Sequence, residues 1–73
     1  MNYEDNRLKQ LGKNIAKYRK EKKLSQDALA DILDISREHL AKIETSKRGI
    51  SIHLLFALCD ALEIKPSQLF NFK

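Results

Sequence analysis

The sequence predicts an all-α fold of five short helices. Apolar residues recur at helical spacing rather than in strict alternation. Ser25, Ser36 and Ser51 each stand where a new apolar stripe begins, as helix N-caps do. The chain has 73 residues, which allows one domain spanning 1–73 and a core that is marginal on its own.

The first helix is expected from about Asp5 to Lys22. Leu8, Leu11, Ile15 and Tyr18 follow one another at i, i+3, i+7 and i+10 and make one stripe. Glu4 and Asp5 lie at its start and Lys22 and Lys23 at its end, as the helix dipole prefers. Gly12 is expected to weaken it locally.

Ser25 opens a second helix, Gln26 to Leu33, with Leu29, Ala30 and Leu33 turned inward. Asp34 ends it. Ser36 opens a third helix to about Thr45, with Leu40 and Ile43 inward. The two form a pair joined by a tight turn, about 25–45. A basic loop follows, Ser46 to Ile50, containing Lys47, Arg48 and Gly49. Ser51 opens a fourth helix ending near Glu63. Its apolar residues cover more than half its circumference, where one stripe would suffice. One face is therefore expected against the core and a second against another subunit. Pro66 fits the first position of a short last helix. Helices four and five, about 51–71, supply core and the dimer face, for which Leu54, Leu58, Phe70 and Phe72 are the candidates. Ordinary core burial competes with that role, above all for Phe70.

There are 14 Lys+Arg against 10 Asp+Glu, a formal charge of +4. The excess is local: between Arg7 and Lys23 stand eight basic residues and only Glu21 as an acid. Such a run is either a solvated helix face or a footprint for phosphates. A single cysteine, Cys59, excludes an internal disulfide and fits a reducing compartment. It lies in an apolar run, as a buried small hydrophobe does. No apolar run is long enough for a membrane span, and the polar Met1–Asp5 start is unlike a signal peptide. A cytoplasmic protein with no membrane association is expected.

The outer side of the third helix carries Arg37, Glu38, His39 and Lys42. Arg can pair bidentately with guanine O6 and N7, Glu can accept from cytosine N4, and Lys can reach guanine acceptors. These residues suit a DNA major groove. Glu38 has a second reading, as a surface residue that repels phosphate or orients Arg37.

The combination Leu24-Ser25-Gln26, Leu29-Ala30, Ile35-Ser36, Leu40 and Ile43-Glu44 resembles the lambda-repressor-like helix-turn-helix family, the phage repressor and Cro type. Leu11-Gly12, Ile15, Tyr18-Arg19, Leu55, Leu58, Leu62 and Leu69-Phe70 extend the likeness to most of the chain. The resemblance implies a compact five-helix domain whose third helix enters the major groove. Its first, second and sixth residues, Arg37, Glu38 and Lys42, would then face the bases, with His39 as a lesser candidate. It implies a phosphate contact and a brace on the third helix for Gln26, and an ion pair between Arg19 and Glu44. Lys47 and Arg48 match a phosphate-clamping loop, with a solvated loop as the competing reading. Lys22 and Lys23 are weaker phosphate candidates. The sequence departs from the family at Asp34 and Ser46, where Gly is common, and at Ile50, where Pro is common.

The resemblance thus implies a homodimeric transcription regulator on an inverted-repeat operator. Arg48 to Ile52 and the stand-alone length are similar to restriction–modification controller proteins. A phage-type repressor or Cro-like switch, and an antitoxin or other protein-binding module, are the alternatives. No cofactor, metal or small-molecule ligand is expected. An enzyme is not expected either: His53 and Cys59 are six apart on one helix, about 240° around it, and point to different faces.

Overall fold

The computed structural model describes residues 4–72. Five helices follow in order: α1 (Asn6–Glu21), α2 (Gln26–Leu33), α3 (Arg37–Glu44), α4 (Ile52–Leu62) and α5 (Pro66–Leu69). Among the described residues there is no strand.

Each helix start has a side-chain reason. The side chains of Asp5, Ser25, Ser36 and Ser51 accept from Arg7 N, Ala28 N, His39 N and Leu54 N. Each satisfies one N–H that the first turn leaves without an intrahelical partner. Asp5 also pairs with the Arg7 guanidinium at 2.7 Å, and that hydrogen bonding holds its carboxyl down at about 2. At α5, Lys65 N donates to Gln68 Oε1 at 2.8 Å, with Pro66 opening the helix.

The helix ends share one device. Lys23, Asp34, Ser46 and Glu63 all sit in the left-handed region, at φ between 56° and 60°. Behind α1, Lys23 N bonds Lys20 O and Leu24 N bonds Arg19 O. Asp34 and Ile35 repeat this behind α2, Ser46 and Lys47 behind α3, and Glu63 and Ile64 behind α4. This double bond is the Schellman closure, which usually carries glycine at the left-handed position. Here none of the four is glycine. Leu24, Ile35 and Ile64, the residues that follow, pack against the core, and that apolar contact favours the closure.

The core is Leu11, Ile15, Leu29, Ala30, Leu40, Ile43, Leu55, Leu58, Cys59, Leu62 and Leu69. All five helices contribute to it. Burial raises the Cys59 thiol pKa, as expected of a packing residue rather than a nucleophile. Asn14 of α1 donates to Leu69 O at 2.7 Å, tying α5 to α1.

Gly12 has a packing role besides its effect on helix propensity. A Cβ there would overlap the backbone oxygen of Glu44 and lie 2.8 Å from that of Ile43. Its bare backbone lets α1 press against the end of α3, and the loss of helix propensity is the cost of that contact.

The surplus of apolar residues on α4 is distributed differently from expectation. Leu58 is fully buried within the chain and has no surface to give a second subunit. Leu54 is half-buried and packs on the core. The outward apolar residues of α4 are Ile52 and Phe56, 57% and 51% exposed. Phe70 is not core but 48% exposed. It meets half-buried Phe72 edge-on, with ring centroids 6.0 Å apart.

Candidate nucleic-acid interface

α2 and α3 form the helix-turn-helix, joined through Asp34, Ile35 and Ser36. The turn holds its shape because Asp34 accepts the left-handed conformation at φ 58°, ψ 42°. Asp and Asn are the non-glycine residues that enter this region most readily. Ile35 plugs the turn onto the core, and Ser36 starts α3 immediately afterwards.

α3 buries Leu40, Ile43 and Glu44 and leaves Arg37, Glu38 and Lys42 exposed, with His39 half-buried. Glu38 and Lys42 lie one turn apart and form an ion pair at 3.1 Å. Arg37 lies on the flank towards α2, where its Nε is 3.5 Å from Asp27 Oδ1. The acid beside Arg37 is therefore Asp27, and Glu38 is paired with Lys42. Burial, and then the charges of Arg48 and Lys42, depress the His39 pKa. That influence places His39 in the electrostatic field of the basic loop after α3.

Behind this surface lies a buried polar network. Arg19 Nε and Nη2 donate to Glu44 Oε2 and Oε1 at 2.7 and 3.1 Å, and Arg19 Nη1 donates to Leu24 O at 2.9 Å. Gln26 Nε2 donates to Glu44 Oε1 at 3.0 Å. The implied ion pair is present, and Gln26 joins it, bracing the start of α2 against the end of α3. No buried side-chain nitrogen or oxygen among the described residues lacks a partner.

The basic candidates differ among themselves. Lys47 and Arg48 are exposed on the loop that the Ser46 closure turns back over α3, with Lys47 N bonding Lys42 O at 2.7 Å. Lys22 is occupied elsewhere, 3.0 Å from Glu63 Oε1. Lys23 is exposed at the α1 end. His53 is exposed while Cys59 is buried. Among the described residues no three metal-ligating side chains gather, and no helix is long and apolar enough to cross a membrane.

The sequence reading missed Asp27. It stands one residue after Gln26 in the first turn of α2, where an acid is unremarkable. A contact between elements was needed to give it a second role.

An exposed, polar third helix set on a braced two-helix unit defines a helix-turn-helix DNA-binding regulator. The chain belongs to the helix-turn-helix family, which matches residues 15–69. It is 38% identical over 61 residues to the control protein C.MunI of a Mycoplasma species, covering 82% of each chain. Its fold is similar to that of the restriction-modification controller protein C.AhdI of Aeromonas hydrophila. That match has a TM-score of 0.82 and 32% identity and covers 86% of this chain and 96% of the other. The clp gene regulator ClgR of Corynebacterium glutamicum shares the fold at TM-score 0.81 and 24% identity, over 84% of this chain and 65% of that one.

Proposed function

We propose that the chain is a homodimeric controller-type regulator. It binds an inverted-repeat operator and acts in the control of a restriction–modification system. The observation that carries this reading is the exposed row Arg37, Glu38 and Lys42 on α3, at the first, second and sixth positions of the helix. The likeness to two controller proteins over most of both chains supports the system assignment.

α3 lies in the major groove, where Arg37 and Lys42 meet purine acceptors and Glu38 meets a cytosine amino group. His39 contributes at the edge of that set. Gln26, Lys47 and Arg48 hold the flanking phosphates, which fixes register without reading sequence. Lys23 extends the phosphate contacts, and Lys22 joins once it leaves Glu63. A second copy sets the spacing of the two half-sites. Its contact surface is built from the apolar residues that α4 and the α5 end leave outside, Ile52, Phe56 and Phe70, with half-buried Leu54 and Phe72 at the margin. The protein works as a single domain in the cytoplasm, without catalysis or a cofactor.

Selection from random-sequence duplex DNA tests the reading. Enrichment of two inverted half-sites about one helical turn apart is expected. Binding that enriches no sequence and only fades with salt would sink it in favour of a protein-binding module.

A further inference from the structure

We infer that Asp27 is a specificity-determining residue that positions Arg37 for a guanine. The inference rests on the DNA-reading role proposed for α3.

The geometry is specific to one edge of the guanidinium. Asp27 Oδ1 faces Arg37 Nε at 3.5 Å. A guanidinium offers five donors in a fixed planar fork. A carboxylate held at Nε leaves both Nη groups for the two acceptors of guanine, O6 and N7. Asp27 is on α2 and Arg37 opens α3, so the contact spans the two helices of the motif. The Gln26–Glu44 hydrogen bond next to it already fixes how those helices meet. The backbone of Asp27 therefore stands on a rigid support. The two side chains are 80% and 62% exposed, but the short Asp27 has far fewer rotamers than the long Arg37. A carboxylate at its Nε removes those that swing the guanidinium away from the groove.

Asp27 also acts against the wrong target. Its charge lies on the DNA-facing unit, and any phosphate that draws Arg37 aside must approach a carboxylate. Like charges brought together raise the energy of that arrangement. Asp27 thus weakens sequence-independent binding while it favours the base-reading orientation of Arg37. The Lys42–Glu38 pair has no such division of labour, because both partners lie on α3 and Glu38 itself faces the groove.

The test is a comparison of wild type, Asp27→Asn, Asp27→Glu and the double variant Asp27→Asn/Arg37→Ala. Each is put through the same random-duplex selection, then titrated on the enriched site and on scrambled duplex. In Asp27→Asn the guanine preference should fall at one position of each half-site, by roughly two- to fivefold, the scale of an exposed ion pair. Affinity for scrambled duplex should rise, preferences at other positions should stay, and Asp27→Glu should restore part of the loss. In the Arg37→Ala background Asp27→Asn should change no base preference. A merely structural Asp27 would lower Tm and weaken all sequences alike. That uniform loss, or a preference profile identical to wild type at every position, overturns the inference while leaving the DNA-reading role intact. A wild type that enriches no sequence overturns both.

Discussion

Arg19 and Glu44 meet through two hydrogen bonds, Nε to Oε2 at 2.7 Å and Nη2 to Oε1 at 3.1 Å, with side chains only 10% and 5% exposed. The pair joins α1 to the end of α3, beside the contact that Gly12 makes possible. Removing one partner leaves the other charge buried, which costs about 3–5 kcal/mol. Glu44→Ala should therefore lower stability by that order, seen as a shifted urea midpoint with an unchanged slope. DNA affinity should fall mainly through the loss of folded protein, with a smaller loss from the release of Gln26, whose Nε2 gives up its acceptor on Glu44. Removing both charges with Arg19→Met/Glu44→Leu should recover most of the stability. An unchanged midpoint in Glu44→Ala would mean the pair contributes nothing.

The left-handed residues offer a second check. A non-glycine residue in this region costs roughly 1–2 kcal/mol, and glycine removes that strain but adds freedom to the unfolded chain. Lys23 and Asp34 are both exposed. Lys23→Gly and Asp34→Gly should each stabilise the protein by about 0.5–1 kcal/mol, measured by thermal unfolding. Their effects should add, because the two closures lie on different helices. A lower Tm in both would show that the unfolded-state term wins.

The same positions mark where the sequence stopped being legible. The helix starts could be read because a serine cap acts within three residues of itself. Asp34 could be read because the family pattern draws attention to the turn. Lys23 and Glu63 could not, since neither is a residue that favours a left-handed turn. The usable signal was the apolar residue after each, Leu24 and Ile64, which must return to the core. The exposed set Arg37, Glu38 and Lys42 was legible because position along α3 fixes exposure. Asp27 and the packing role of Gly12 depend on which helix lies alongside, and no local pattern carries that. The surplus apolar face of α4 was legible as a quantity but not in its members. Leu58 went to the core and Phe56 to the surface, because helix rotation is set by packing against α1, α2 and α5.

His39 gives the protein a pH dependence with opposite signs in folding and in binding. Its pKa is held down in the free fold, first by burial and then by Arg48 and Lys42. The unfolded imidazole titrates near its ordinary value of about 6.5. Between that value and the lower folded one, the unfolded chain carries more protons, so stability falls as pH drops through this window. A phosphate beside Arg48 would offset its charge and raise the His39 pKa in the complex. Binding should then take up a proton, and affinity should increase as pH falls towards 6. Wild type and His39→Gln should differ in the slope of Tm against pH between 5 and 7.5, and in the slope of log Kd. Parallel slopes would assign the pH dependence to other groups.

The proposed dimer surface makes the last prediction. Ile52 and Phe56 lie one turn apart on α4 and are more than half exposed, a poor arrangement for a chain that stays alone in water. Burying an aliphatic or aromatic side chain contributes about 1.5–3 kcal/mol, and a twofold interface counts each residue twice. Phe56→Glu should leave the fold stable and shift sedimentation from dimer to monomer. Affinity for the full inverted repeat should drop at least tenfold, with single half-site binding retained. Leu58→Ala should behave in the opposite way. It opens a cavity in the core and should cost roughly 2–5 kcal/mol of stability, so that any loss of dimer follows the loss of fold. If Phe56→Glu stays dimeric while Phe70→Glu becomes monomeric, the second subunit sits on the α5 end and Ile52 and Phe56 face another partner.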